Sequence, residues 1–282
     1  MNITSPEKKQ FNYGFVSPTI QPTDYIFGSA QLDSPVLVDN GQWPESLVPD
    51  EQQNLFDTET WNCTGFATST PYEMIIAMQY KEQMNFCDRG LGIMAGTKPP
   101  GNSPNVVAHT AHKMGMFDES FLPFVKELES ADGYFKPNPL PDNLIQEALK
   151  LLQEYELGYQ WTFSQSTPLQ EKQERMIEAL RHSVLGIAIQ AWQQNDNGLY
   201  TQTGSPNHWT NVLGYKKGEY WICKDSYPPF IKHIEWNTDF QFCMQYAVKK
   251  LSPPAPVYPI AVPSIPVKVS FWDKIKQSLC AH

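Results

Sequence analysis

Apolar residues recur at helical spacing in the first half of the chain. The clearest case begins at Cys63 and continues to Met84, over the run CTGFATSTPYEMIIAMQYKEQM. Such periodicity predicts an amphipathic helix. Pro71 lies inside the run, and an interior proline removes a helical hydrogen bond. We therefore expect a kink at Pro71, or a break of this helix into two pieces.

Three more helices are predicted before residue 184. The run SPNVVAHTAHKMG (103–115) has Ser103 as a candidate cap and Gly115 as the stop. The runs PDNLIQEALKLLQEYEL and LQEKQERMIEALRHS are also amphipathic, and Asp142 is placed to cap the first of them. The part of the chain between about residues 63 and 183 is thus predicted to be mainly helical.

Strand patterns replace helical ones after residue 183. VLGIAIQAW is predicted to be a buried strand and GLYTQT a short one, and FQFCMQYAVKKL closes the series. Between them, HWTNVLGYKKGEYWICKDSY indicates two strands joined by a Lys-Lys-Gly turn. Helices followed by antiparallel strands predict an α+β fold with separated layers.

The two ends of the chain differ from this body. Residues 1–50 carry many turn signals and short apolar pieces, which predict an extended leader or belt. Residues 51–252 form the predicted domain. Residues 253–282 begin with a proline-rich arm and end in a short amphipathic segment.

Composition excludes several classes of function. Of 282 residues, 41% are hydrophobic and 18% are charged, as in globular proteins. The net charge of −9 argues against a nucleic-acid partner, which requires a surplus of Lys and Arg. The first residues lack the apolar core of a secretion signal, and no segment is long and apolar enough to span a membrane.

The five cysteines are scattered without the spacing of a zinc site or a disulfide framework. His109 and His112 form an HxxH pair, but no third ligand stands at a matching offset. We therefore expect no metal and no cofactor, and mostly reduced cysteines. Cys87, Cys223 and Cys243 are predicted to be core residues.

Cys63 is the cysteine best placed for chemistry, because it stands at the first turn of a predicted helix. The positive end of the helix dipole favours a thiolate there. His208 opens a predicted strand, and Asp225 ends the next one. If the turn lies near Gly218, the hairpin brings His208 and Asp225 together. A thiol, an imidazole and a carboxylate are the groups of a nucleophile, its base and an orienting partner.

These motifs resemble the papain-like cysteine peptidases over roughly residues 50 to 250. Cys63 and His208 are 145 positions apart, within the roughly 130–150 expected for that family. NCTGFA resembles the nucleophile motif, GNSPNVVAHTAHKMGMFDESFLPF the glycine-rich cleft loop and helix, and NHWTNVLGYKKGEYWICKDSY the histidine hairpin. The resemblance implies a helical left lobe and an antiparallel β-sheet right lobe with the active-site cleft between them.

The resemblance also implies roles for single residues. Cys63 would be the nucleophile and His208 the base, while Asp225 stands where the family has asparagine. Tyr227 takes the place of a tryptophan that shields the pair from water, and Gln53 would complete the oxyanion hole. The cleft would be lined by Asn62, Gly101, Asn102, Trp192 and Asn207. Asp225 would stabilise the imidazolium more than an amide would.

Three positions depart from the family pattern. Thr60 replaces a disulfide cysteine, Thr64 replaces the tryptophan after the nucleophile, and Asp57 stands where the oxyanion glutamine is usual. A carboxylate would repel an oxyanion, which favours Gln53 for this role, with Gln52 the weaker choice. The departures leave open a second interpretation, in which a papain-like scaffold binds a peptide or a virion partner without catalysis.

A transglutaminase-like acyltransferase also uses Cys, His and Asp, but its nucleophile and histidine usually lie much closer in sequence. The first interpretation remains a thiol endopeptidase that cleaves peptide or protein substrates through an acyl-enzyme. The short leader and the proline-rich arm resemble papain-like proteins of bacterial viruses. They favour a location in the host cytoplasm or on the virion. Nothing in the sequence indicates the oligomeric state.

Overall fold

Helices and strands alternate little along the chain, and they occupy different parts of the computed structural model. The model describes residues 12–21, 24, 34–128 and 130–252. The predicted arm at 253–282 and Cys280 therefore lie outside the described residues. The described residues up to Leu251 belong to one compact unit. Among them, no helix has both the length and the apolar character needed to cross a bilayer.

The helical lobe contains five helices in the described part of the chain. Its longest helix starts at the candidate nucleophile and runs through the centre of the molecule. The helices are α1 (Cys63–Tyr80), α2 (Asp88–Met94), α3 (Pro104–Met114), α4 (Ala131–Tyr134) and α5 (Asp142–Glu154). Arg89, on α2, ties the end of α4 to this lobe, since its guanidinium Nε donates to the Tyr134 carbonyl at 2.6 Å.

The sheet lobe is an eight-stranded sheet with α6 (Leu169–Leu180) beside it. The strand order is β3-β10-β4-β7-β8-β9-β6-β5, and every pair except β6 with β9 is antiparallel. The strands are β3 (Tyr155–Trp161), β4 (Leu185–Ile189), β5 (Gln193–Gln194), β6 (Tyr200–Thr201), β7 (His208–Lys216), β8 (Tyr220–Lys224), β9 (Ile231–Glu235) and β10 (Cys243–Lys250).

The predicted elements and the observed ones differ in several places. The run after Glu154 is strand β3 rather than the end of a helix, and α2 and β9 had no predicted counterpart. Helix α1 ends at Tyr80, because Lys81 adopts a left-handed conformation. Ser103 precedes α3 as expected, but its side chain makes no capping hydrogen bond. Pro141, not Asp142, occupies the cap of α5.

Pro71 does not break α1 into two pieces, which was one of the two outcomes expected from the sequence. The helix is continuous from Cys63 to Tyr80. A proline has no N–H to offer the carbonyl four residues earlier, which here belongs to Ala67. The side-chain amide of Asn211, on β7, donates to that carbonyl at 2.9 Å. A residue of the sheet lobe thus replaces the missing helical hydrogen bond.

We expect Asn211→Ala to lower the free energy of unfolding by about 1–3 kcal/mol, because it leaves the buried Ala67 carbonyl without its main donor. In a Pro71→Ala background the helix regains an N–H for this carbonyl, so the same substitution should cost less. Urea unfolding of the four proteins measures the coupling. Equal costs in both backgrounds would show that Asn211 does not compensate for Pro71.

A short N-terminal segment joins the helical lobe near the start of α1. Strand β1 (Gly14–Phe15) pairs in parallel with β2 (Gly101–Asn102). Gly14 has φ +115°, and an added Cβ would lie 2.3 Å from the Trp61 carbonyl oxygen. Only glycine can pass this close to that backbone. Residues 12–16 therefore lie directly against the residues that lead into α1.

Candidate active site

Cys63 is the first residue of α1, and it is completely buried. Its Sγ accepts a hydrogen bond from the backbone N–H of Trp209 at 3.4 Å. Trp209 directly follows His208 at the start of β7. The fold therefore brings the candidate nucleophile of the helical lobe next to the candidate base of the sheet lobe.

Burial raises the pKa of the Cys63 thiol well above its usual value, and the Trp209 N–H acts in the opposite direction. The negative charges of Glu59 and Asp225 raise the pKa further. In this enclosed arrangement, burial and the two carboxylates act against the lowering of the pKa that the start of the helix predicts. The sequence does not show how completely the thiol is enclosed.

His208 and Asp225 lie in contact, as the hairpin pattern predicts. The imidazole Nε2 and Asp225 Oδ1 are 2.6 Å apart, and both side chains are fully buried. The turn between β7 and β8 includes Gly218 at φ +80°, which is where the Lys-Lys-Gly signal placed it. The other imidazole nitrogen, Nδ1, has no hydrogen-bond partner among the described residues.

A lysine of the neighbouring strand binds the far side of Asp225. The Nζ of Lys232, on β9, lies 2.7 Å from Asp225 Oδ2, and both side chains are buried. Burial acts to raise the pKa of Asp225, but the interactions with His208 and Lys232 outweigh it, and the pKa lies below its usual value. This contact could not be predicted from the sequence, because it depends on the register of β8 with β9.

Aromatic rings surround the imidazole edge-on. The ring centroids of Trp192 and Tyr227 each lie 5.5 Å from that of His208, and the centroid of Tyr13 lies 5.8 Å away. Trp192 and Tyr227 were predicted to be here, whereas Tyr13 was not. The three rings limit the access of water to the His208–Asp225 pair.

Gln53 is buried and approaches the cleft from the loop before α1. Its amide Nε2 donates to the Tyr13 carbonyl and to Glu59 Oε1, both at 2.8 Å. Its Oε1 accepts from the Ser226 hydroxyl at 3.0 Å. Gln52, the alternative, donates instead to Asn54 at 3.1 Å. Asp57 is exposed.

Glu59 is a charged neighbour of Cys63 that the sequence did not single out. Its Oε1 accepts from the Trp61 N–H at 2.8 Å, in addition to the Gln53 amide. Its Oε2 accepts from the Tyr227 hydroxyl. These bonds fix a carboxylate between the loop before α1 and the ring that covers His208.

Residues 13–16 fill the space between the two lobes. The Tyr13 N–H donates to the Asn207 carbonyl at 3.0 Å, and the Val16 N–H donates to the Asn102 carbonyl at 2.9 Å. The buried ring of Phe15 stacks on Trp209, with centroids 6.0 Å apart, and contacts Phe242 at the same distance. The backbone groups of this segment thus use the polar groups that line the predicted cleft.

The remaining predicted cleft residues divide into two groups. Gly101, Asn102 and Asn207 present their backbone to residues 13–16. Asn62 does not fit this position. Its buried side chain donates to the Asp88 carbonyl at 2.9 Å and to the Tyr134 hydroxyl at 3.0 Å, inside the helical lobe. The Asn62 side chain therefore anchors the backbone just before Cys63 to the helical lobe and does not line the cleft.

The other cysteines and histidines lie elsewhere. Cys87, Cys223 and Cys243 are buried and free, in agreement with their predicted core positions. His112 Nδ1 lies 2.5 Å from the Leu157 carbonyl, and His109 Nδ1 lies 3.2 Å from the Tyr159 hydroxyl. Within the described ranges, no cluster of three or more His, Cys, Asp or Glu side chains is arranged to hold a metal ion.

Comparison with known proteins gives structural matches alone. No family model matches the sequence, and no curated protein matches it. Among solved structures, digestive procathepsin L 3 of Tenebrio molitor larval midgut matches with a TM-score of 0.55 and 15% identity, over 84% of this chain and 77% of that one.

Two plant enzymes give similar values. The bromelain protease from Ananas comosus, in complex with the E64 inhibitor, matches with a TM-score of 0.54 and 14% identity over 73% of this chain and 97% of that one. The Carica candamarcensis cysteine protease CMS1MS2, in complex with E-64, matches with a TM-score of 0.53 and 11% identity over 73% and 96%. The chain therefore has the α+β fold of the papain-like cysteine proteases, with a helical lobe and a sheet lobe.

Proposed function

We propose that this chain is a cysteine peptidase that uses Cys63, His208 and Asp225. One observation carries the proposal. The His208–Asp225 pair is buried and hydrogen-bonded at 2.6 Å, and Cys63 Sγ binds the N–H of the next residue, Trp209. The thiol thus lies beside the residue that follows His208, and the carboxylate binds the imidazole through Nε2, which leaves Nδ1 without a partner among the described residues. Nucleophilic catalysis by a thiol requires such a base and orienting group near it.

The chemistry follows from these three groups. His208 accepts the proton of Cys63, and the thiolate attacks the carbonyl carbon of a peptide bond. The C–N bond breaks as His208 returns the proton to the leaving amine. A water molecule then loses a proton to His208 and attacks the thioester, which releases the acid and the thiolate. Asp225 holds the imidazole in orientation throughout.

Gln53 is our proposed donor to the oxyanion. Its Nε2 already holds a carbonyl oxygen, that of Tyr13, at 2.8 Å. A backbone carbonyl in this place resembles the substrate oxygen on which negative charge develops. Gly101, Asn102 and Asn207 would offer their backbone to substrate once residues 13–16 have left. We infer from the contacts of residues 13–16 that they act as a leader that closes the cleft.

The reaction of Cys63 with iodoacetamide between about pH 5 and 9 tests the proposal, with peptide mass spectrometry as the readout. An ordinary thiol reacts near its pKa of about 8.5, whereas a thiolate paired with an imidazolium reacts well below that. We expect a larger ratio of labelling at low to high pH in the folded protein than in the urea-unfolded protein. His208→Ala should remove the difference. The same ratio of labelling at low to high pH in the folded and the urea-unfolded protein would contradict the proposal.

One observation favours the alternative, a papain-like module that binds without catalysis. The Glu59 carboxylate is hydrogen-bonded to Gln53 and raises the pKa of Cys63. Failure of the labelling test would make this alternative the better one. An origin in a bacterial virus, a virion or host-cytoplasm location and the processing of a leader remain predictions from sequence.

A further inference from the structure

Lys232 is a buried cation whose three donors are fully used. Its Nζ donates to Asp225 Oδ2 at 2.7 Å, to the Tyr227 carbonyl at 2.5 Å and to the Pro229 carbonyl at 2.6 Å. The ring of Trp192 lies 4.8 Å from the same nitrogen. The lysine side chain is 1% exposed. A cation buried to this degree is retained only where an anion and further acceptors compensate for its lost hydration.

The carboxylate of Asp225 lies between His208 and Lys232. Oδ1 faces His208 Nε2 at 2.6 Å, and Oδ2 faces Lys232 Nζ at 2.7 Å. Aspartate alone would strongly favour the charged imidazolium, because an opposite charge within about 4–6 Å stabilises it. The ammonium on the other side offsets much of that effect. The pair Asp225–Lys232 has no net charge, and it still gives His208 a carboxylate oxygen as acceptor.

We propose that Lys232 is a positioning residue that neutralises Asp225, and that it thereby sets the pH range over which His208 exchanges its proton with Cys63. The proposal deepens the proposed peptidase function and rests on it for its catalytic meaning. Its prediction for the charge of His208 as a function of pH does not depend on catalysis.

Other ionisable groups face the two residues and remain unchanged in the test. Around His208 they are Cys63, Tyr13, Tyr227 and, behind Tyr227, Glu59. Around Lys232 they are Tyr200, at 6.0 Å from Nζ to the ring centroid, and Cys223. None of them has a positive charge that could take the place of Lys232.

The test is an NMR titration of the His208 ring in the full chain, which needs no substrate and no activity. For Lys232→Met we expect the imidazolium to persist to a pH about 1–2 units higher, because the charge of Asp225 is then uncompensated. For Asp225→Asn we expect a shift of about 1–2 units in the opposite direction, because Lys232 is then unbalanced. The double variant should return to within about half a unit of the parent.

Two variants serve as controls. Lys232→Arg keeps the positive charge, so the His208 ring in this variant should titrate like that of the parent. Lys172→Met removes another buried lysine, whose Nζ pairs with Asp239 at 2.7 Å in the α6 region, and it should leave the His208 titration unchanged. A shift in Lys172→Met equal to that in Lys232→Met would assign the effect to general loosening of the fold and overturn the proposal.

Folding is informative as well. If Lys232→Met and Lys232→Gln do not fold but Asp225→Asn/Lys232→Met does, the uncompensated charge of Asp225 is the cause, and the proposal is supported. If the double variant also fails, Lys232 is a structural anchor and the proposal is wrong. An unmoved His208 titration in a folded Lys232→Met protein would also overturn it. Absence of peptidase activity with the expected titrations would reject the proposed function alone.

Discussion

His208→Ala is expected to lower kcat/KM for a labelled casein substrate by about 10³- to 10⁴-fold. The substitution removes the group that, in the proposed reaction, takes the proton of Cys63 and returns it to the leaving amine, and it leaves Asp225 without the imidazole at 2.6 Å. Because the three side chains act as a unit, Cys63→Ala and the double variant should lose about as much activity as His208→Ala alone.

His233→Ala is the matched control for this experiment. His233 lies on β9, one residue from Lys232, but its side chain is exposed and stacks on Tyr220, with centroids 4.1 Å apart. We expect the His233→Ala protein to be as active as the parent. Equal losses in the two alanine variants, or full activity of His208→Ala, would contradict the assignment of the base.

The second large effect concerns the closed cleft. We expect Phe15→Ala to increase the rate of Cys63 alkylation by about 150- to 5,000-fold, because loss of a buried phenylalanine ring costs about 3–5 kcal/mol. Phe15 is 2% exposed and packs on Trp209, the residue whose N–H binds the Cys63 thiol. The weakened segment should leave the cleft more often and expose the thiol.

Val16→Ala tests whether the effect is specific to the buried ring. Val16 neighbours Phe15, but it is 40% exposed, so its truncation should change the alkylation rate little. The rates are measured at one pH with excess iodoacetamide, and global stability is followed by urea unfolding. An unchanged rate in a stable Phe15→Ala protein would mean that residues 13–16 do not control access to Cys63.

Local patterns were sufficient to predict the hairpin and the contact within it. The Lys-Lys-Gly turn fixes the pairing of β7 with β8, and the contact between His208 and Asp225 follows from it. Lys232 could not be found in this way. The run IKHIE of β9 has no clear alternation, and the lysine reaches Asp225 only through the register of a third strand.

The sequence predictions also missed features that depend on contacts between distant parts of the chain. The sequence places Pro71 inside a helix but does not reveal that Asn211 supplies the missing donor. It places Cys63 at a helix start, but the burial that raises its pKa comes from residues of both lobes. Tyr13 and Phe15 lie in a segment whose position is decided by packing against Trp209 and by pairing with Gly101.

The Asn211–Ala67 hydrogen bond also restricts how the molecule can move. It joins α1 to β7 four residues after Cys63 and three residues after His208. Sliding of the helix along the strand would leave the buried Ala67 carbonyl without its main donor, which is costly. The helix and the strand should therefore move as one rigid body. Opening of the cleft would then depend on displacement of the loops and of residues 13–16, while Cys63 and His208 keep their relative positions.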